Sequence, residues 1–306
     1  MFRLLLCLTI VTSLLGSSIL CYDRQEDVST HPCTVGVFVD GSLHLTRECP
    51  DIEYSHPNGK PLLLDASIPD GKGPFPAAIL VHGGFFTEGD KTSYMAPLKR
   101  LLSGSGYAWF SVDYRLAPQF PYPAAVEDLV SAVHWVRLHA EQYSVDVNRI
   151  VLIGESAGGY LVSRFGAEGR QVSGVAAVVN FYGLSDLMII PKHWPKPPAG
   201  VSEFFGVTDY SESSLKTLHD ASPVNLITKN MPPFLFIHGT ADQTVPFESS
   251  PLMCDAMKKV GNQCEVIRVE GADHAMTTWE GRSEWTSWKP LMIDWLNRTL
   301  KVAARN

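Results

Sequence analysis

The 306-residue chain has no Cys-x-x-Cys pair and no His-Glu-x-x-His, the spacings that gather zinc ligands, so no metal centre is expected. It also lacks a Gly-Lys-Ser/Thr phosphate loop, and the Gly104-Ser-Gly106 stretch reaches Trp109 where a dinucleotide fingerprint needs its third glycine. No cofactor is implied. Charge is sparse, at 19% of residues, and 32 acidic side chains outnumber 25 basic ones, a balance that repels polyanions and argues against a nucleic-acid partner. Repeats of roughly 20 to 50 residues and low-complexity tracts are absent. Long apolar runs are missing too, with one exception from Leu4 to Leu20, where Arg3 is the only charge before Asp23. At 17 residues that run is short for a bilayer span, which needs roughly 20, and its thin basic start fits a secretory signal peptide over residues 1–21. Cleavage after Ser18 and cleavage after Cys21 both suit it. A secreted or periplasmic protein without stable membrane association is therefore expected.

Removing residues 1–21 leaves 285 residues with 24 basic and 32 acidic side chains, a formal charge of −8. With 45% hydrophobic residues in the chain, this length suits one large α/β domain. Of six cysteines, Cys7 leaves with the signal and Cys21 sits at its border, so Cys33, Cys49, Cys254 and Cys264 remain. An even number in an exported chain points to two disulfides. Among the three pairings the local ones are preferred, Cys33 with Cys49 and Cys254 with Cys264, the second tying a helix to the strand that follows it.

Between Val35 and Ile68, short alternating stretches broken by Asp-Gly and Asn-Gly read as antiparallel strands and hairpins. Residues 22–50 are taken as an N-terminal extension and 51–306 as the main domain. From Ala77 onwards the strand-length runs are continuously apolar, at 77–82, 108–113, 149–154, 174–180, 234–239 and 264–269. Runs apolar on both faces belong inside a parallel sheet covered by helices. Val126, Leu129, Val130, Val133 and Val136 share one helical face, and 249–260 and 288–300 also read as helices. The fold class is thus α/β, a doubly wound and mostly parallel sheet with antiparallel N-terminal strands. Ligands of such sheets sit beyond the carboxyl ends of the strands.

Three residues occupy that position. In "VLIGESAGGYLVSRFG" (151–166), Ser156 falls between an apolar strand and a helical pattern, flanked by Gly154, Gly158 and Gly159. Glycines two before and two after a serine permit a sharp strand-to-helix turn that presents the hydroxyl, although such turns also occur without chemistry. Asp242 follows "FLFIHGTAD" and His274 follows "CEVIRVEGADH", which completes a serine, acid, histidine order on three separate strands. Ser156 would attack a carbonyl carbon, His274 would accept its proton, and Asp242 would orient His274. Each has a structural alternative. Asp242 could cap the helix after "QTVPF", and Asp186 after "NFYGLSD" is the rival acid. Asp273 reads as a turn residue and His238 as a packed histidine bonded to backbone. Amide donors for an oxyanion are expected from the loop after "ILVH", at Gly83 and Gly84, and from Ala157 at the helix N-terminus.

"HGGF" (82–85), "DYRLAPQFPYPAAVED" (113–128), "GESAGG" (154–159), "PPFLFIHGTADQTVPF" (232–247) and "EGADH" (270–274) together resemble the α/β-hydrolases of the hormone-sensitive-lipase and carboxylesterase type. In detail they are similar to secreted bacterial feruloyl and acetyl esterase-like members, over about Asp51 to Leu300. The resemblance implies Ser156 as nucleophile, Asp242 as acid, His274 as base, and Gly84, Phe85 and Ala157 as oxyanion donors. Phe85 stands where the usual "HGGG" has its third glycine, so its side chain must find space. Arg115 with Glu127 or Asp128 is read as a structural ion-pair network.

The proline- and aromatic-rich stretch 187–225 is expected to fold over the site as a partial lid, with Trp194, Phe204, Phe205 and Tyr210 as candidate pocket residues and simple packing as the alternative. Residues 22–50 are too few for a large helical cap, so the site should be open. By analogy, an exported open site favours small-molecule or saccharide esters, such as acetyl or feruloyl groups, over long-chain triglycerides. Two other readings compete: a prolyl-oligopeptidase-like peptidase, for which the N-terminal part is too short to build a propeller, and a binding protein on an inactive scaffold, which predicts a lost triad member. The oligomeric state is left open.

Overall fold

The computed structural model describes residues 33–39, 42–168 and 174–302. The expected signal peptide at 1–21 lies outside them. The expected Cys33–Cys49 bridge is not formed: Cys49 is a free thiol, and the Cys33 backbone pairs in the sheet with Glu48, the residue before it. Among the described residues no helix is long and apolar enough to cross a membrane.

The chain opens with strands β1 (Cys33–Val39), β2 (Ser42–Ser55), β3 (Leu62–Pro69) and β4 (Phe75–Val81), then helix α1 (Ala96–Gly104), β5 (Ala108–Val112), α2 (Ala124–Leu138), β6 (Val145–Glu155), α3 (Ala157–Glu168) and β7 (Ala177–Phe181). Three helices follow without a strand, α4 (Ile190–His193), α5 (Ala199–Phe205) and α6 (Glu212–Ala221). The remainder is β8 (Phe234–Gly239), α7 (Ser249–Lys259), β9 (Cys264–Val269), α8 (Met276–Trp279) and α9 (Trp288–Leu300). The nine strands form one sheet in the order β1-β2-β3-β5-β4-β6-β7-β8-β9. Strands β1, β2 and β3 pair antiparallel and join β5 antiparallel, whereas β5 through β9 run parallel.

The period of two along each parallel strand explains why both faces had to be apolar. Ile79, Leu152, Val178 and Phe236 pack on one face with α2, α3, α5 and α7. Their neighbours Leu80, Ile153, Val179 and Ile237 pack on the other with α1, α8 and α9. The six apolar runs read from the sequence all became strands. β2 crosses the expected boundary after residue 50, with Cys49 paired to Ala66 and Ile52 to Leu64 across a bulge, so the extension is the edge of the same sheet and not a separate unit. Helix α1 escaped the sequence reading. It is only nine residues long and buries Pro97, Leu98 and Leu102 against the sheet. The sulfurs of Cys254, in α7, and Cys264, which opens β9, lie 2.13 Å apart, at disulfide distance. Arg115 does form the expected network, reaching Asp128 at 2.8 Å and Glu127 at 3.0 Å.

The first residue beyond β4 is His82, which is buried and stacks on Tyr114 with ring centroids 4.3 Å apart. Its Nδ1 lies 2.7 Å from the Gly83 carbonyl oxygen, so that nitrogen carries the hydrogen, and Nε2 has no hydrogen-bond partner. Burial therefore pushes the imidazole down from 6.5 to about 4. An unfolded chain binds this proton at higher pH than the native one does. The contribution of His82 to stability is thus complete above about pH 6.5 and is lost as pH falls to about 4, by on the order of 3 kcal/mol. Urea unfolding across that window should show stability falling with acidity in the natural chain, with a shallower slope in His82→Gln.

Candidate active site

The β5-β4-β6 order makes the crevice between β4 and β6 the point where connections turn to opposite sides of the sheet. Ser156 stands at its head. Strand β6 ends at Glu155, α3 starts at Ala157, and Ser156 between them has φ 52°, a left-handed conformation that is costly for a residue with a side chain. Its glycine neighbours are required by space. A Cβ on Gly154 would lie 2.2 Å from the Gly158 carbonyl oxygen, and one on Gly158 would lie 2.0 Å from that of Val81. The first turn of α3 is thereby pressed against the end of β4.

His274, on the loop after β9, has Nε2 3.0 Å from Ser156 Oγ and Nδ1 2.7 Å from Asp242 Oδ2. The loops after β6, β8 and β9 thus bring together three side chains up to 118 positions apart in the chain. Asp242 is buried, and its Oδ1 accepts 2.8 Å bonds from the amides of Thr244 and Val245. Those two amides close the turn that Asp242 itself opens; Asp242 does not cap the helix after "QTVPF", α7, which has no side-chain cap, and its Oδ2 is left to His274. Burial alone would raise this carboxyl, but hydrogen bonds from His238, His274 and the Val245 amide outweigh it and hold the group well below the usual carboxylate range. His238 is fully buried, with Nδ1 2.7 Å from Ser250 Oγ and Nε2 3.0 Å from the Val245 carbonyl, as a packed histidine should be. The same Nε2 lies 3.2 Å from Asp242 Oδ2, a contact the sequence did not announce. Asp186 caps its own turn through Met188 N, and Asp273 accepts from Thr278 Oγ1.

The loop after β4 corrects one expectation. The Gly83 amide donates to Glu155 Oε1 at 2.5 Å and is not free for an oxyanion. Of the expected donors, Phe85 and Ala157 line a common cavity with Ser156, while Gly84, at φ 103°, makes the turn between Gly83 and Phe85. Ala157 opens α3, where backbone N–H groups have no acceptor within the helix. Phe85 solves its space problem by adopting φ 52° with half of its side chain exposed, while Gly200 of α5 backs onto its carbonyl, leaving 2.3 Å for any added Cβ.

The cavity holds about 250 Å³. Phe86, Tyr160, Ile190, Trp194 and Val201 supply apolar walls, and Gln243 and Thr244 add polar groups beside the Asp242 loop. Trp194 is where the sequence placed it. Phe204, Phe205 and Tyr210 do not line the cavity, which corrects their expected role. Phe204 is fully buried and stacked on Phe86 at 4.2 Å, and Phe205 meets Tyr160 edge-on at 5.5 Å, so both support the residues that form the wall. Tyr210 packs against the core at the margin. Among the described residues no group of three or more His, Cys, Asp or Glu converges as a metal site.

Comparison with known proteins is consistent with this geometry. The BD-FAE family model matches residues 64–257. Esterase LipC of Mycobacterium tuberculosis is 30% identical over 223 residues, covering 68% of this chain and 55% of that protein. The chain spans about half the length of the curated relatives it matches. Among solved structures, a Pyrobaculum calidifontis esterase aligns with TM-score 0.70 at 26% identity over 84% of this chain and 86% of that one. A truncated carbohydrate esterase from gut microbiota, at 23% identity and TM-score 0.73 over 83% and 96%, shares the fold. The chain belongs to the BD-FAE family, within the hormone-sensitive-lipase and carboxylesterase type of α/β-hydrolase.

Proposed function

We propose that this protein is an exported serine carboxylic-ester hydrolase that works through an acyl-enzyme. The observation that carries the reading is the continuous path from Ser156 Oγ through both nitrogens of His274 to Asp242, at 3.0 and 2.7 Å, on the wall of an apolar cavity. Ser156 attacks the ester carbonyl carbon while His274 Nε2 takes its proton, and Asp242 holds the imidazole in the tautomer that leaves Nε2 free to accept. The amides of Phe85 and Ala157, with Gly84, meet the charge that develops on the carbonyl oxygen. His274 then returns the proton to the departing alcohol, and the same steps run with water release the acid. The esterase names of the relatives support the reaction class.

The cavity is small against the roughly 300–1,000 Å³ of common ligand sites, which suits a short or single-ring acyl group better than a fatty chain. Acetyl or feruloyl esters of saccharides fit it. Residues 187–225 contribute Ile190, Trp194, Pro198 and Val201 to the walls and so act as a partial cover. A fluorophosphonate probe should label Ser156 in the intact protein and leave Ser156→Ala unlabelled, with p-nitrophenyl acetate turnover falling by about 10⁴-fold or more in that variant. Hydrolysis of a peptide amide but not of esters would favour the peptidase alternative, and no labelling at all would favour a binding protein. A screen over acyl lengths and over acetylated and feruloylated sugars then ranks substrates.

Because His274 must be neutral to accept a proton, kcat/KM should fall on the acid side, and a flat profile from about pH 5 to 9 with chemistry limiting would count against the mechanism. Export predicts that Cys254 and Cys264 resist alkylation until reduced. Reduction should cost about 2–3 kcal/mol in urea unfolding, as expected for a closed loop of this length, and equal alkylation before and after reduction would exclude the bridge.

A further inference from the structure

Glu155, directly before Ser156, is 3% exposed and takes no part in the steps above. We infer that Glu155 is a positioning residue that ties the loop carrying the oxyanion donors to the loop carrying His274. The inference rests on the hydrolase reading.

Two hydrogen bonds define the tie. Glu155 Oε1 accepts from the Gly83 amide at 2.5 Å, and the contact is so close that a Cβ on Gly83 would lie 2.2 Å from that oxygen. On its other side the carboxylate faces the Tyr182 hydroxyl. That hydroxyl accepts in turn from the amide of Met276, two residues beyond His274, at 2.7 Å. The Tyr182 ring meets the His274 ring edge-on at 4.7 Å. Between them Ala275 is held at φ 79°, a conformation a non-glycine residue keeps only when its surroundings impose it. One buried carboxylate thus joins the loops after β4, β7 and β9 around Ser156.

A ligand-free structural brace could be built from a neutral amide. Burying an ionised carboxylate costs several kcal/mol unless donors or a cation answer it. The groups that face Glu155 are the Tyr182 hydroxyl, the phenols of Tyr94 and Tyr114, and His274, and those that face His274 are Asp242, Glu155 and Tyr182. Burial pushes the Glu155 carboxyl up, and His274 and the donors around it pull it down.

Glu155→Gln keeps the size but replaces one acceptor oxygen with a donor, so it cannot accept from the Gly83 amide and from the Tyr182 side at once. Its kcat on p-nitrophenyl acetate should fall about 10- to 100-fold with KM changed less than about threefold. Glu155→Asp keeps both acceptors but falls short of Gly83, so it should lose rate in the same way. A natural-type rate in Glu155→Gln overturns the inference, and so does a rate loss that follows a lowered melting temperature. If Glu155→Gln does not fold, Tyr182→Phe decides. It should fold and lose severalfold in kcat, and full activity in it rejects the tie. Failure of the natural chain to react with the fluorophosphonate or hydrolyse esters is a separate result, which removes the hydrolase reading itself.

Discussion

The closest approach at the site is made by Gly158, on the first turn of α3, to the carbonyl oxygen of Val81 at the end of β4. No side chain fits between them, and much of the site follows from that contact. It brings the N-terminus of α3, with its unpaired amides, beside the loop that begins at His82. It forces Ser156 into the left-handed region, so the hydroxyl projects above the sheet edge and not along the helix. Gly154, whose absent Cβ would meet the Gly158 carbonyl, and Gly183, against the Gly159 backbone, are the remaining sides of the same close packing. Four glycines weaken two elements locally. The core beneath them, with Leu152, Ile153 and Val179 fully buried, offsets that loss.

Above this corner the polar groups are arranged by acceptor capacity. A carboxylate has two oxygens with about four lone-pair positions, and Asp242 receives two amides on one oxygen and the His274 imidazole on the other, with His238 Nε2, whose hydrogen also faces the Val245 carbonyl, 3.2 Å away. A buried ion so fully satisfied has little freedom to turn, which fixes the plane in which His274 Nδ1 must approach. Glu155 uses the same device with one amide and one phenol. The two carboxylates differ in consequence: donors dominate at Asp242 and depress it, whereas burial dominates at Glu155 and raises it.

The parallel strands were legible because burial on both faces leaves a continuous apolar run, and the three site residues were legible because each follows such a run. What failed to show was set by partners far away in the chain. Phe204 and Phe205 look like pocket residues by composition, but α5 turns them inward onto Phe86 and Tyr160, which belong to other segments and form the wall. Gly83 looks like a free donor until Glu155, 72 positions later, is seen to take its amide. The signal was present: a carboxylate closing the apolar run "VLIGE" must be buried, and a buried carboxylate must find donors. Helix α1 could have been inferred from connection rules alone, since parallel strands β4 and β5 require a crossover of that length.

Phe85 shows how one departure from a glycine pattern is absorbed. Its left-handed backbone keeps the loop path that a glycine would take, and Phe86 follows at φ 69°, so two aromatic residues occupy consecutive positions that favour glycine. The strain is tolerated because both rings have somewhere to go. Phe86 turns into the core between Tyr160 and Phe204, and Phe85 lies at the cavity mouth. The compensating glycine has moved to Gly200, where α5 must approach the Phe85 carbonyl closely. The covering segment and the donor loop are therefore one packing unit, and the width of the cavity is set as much by α5 as by the loop it covers.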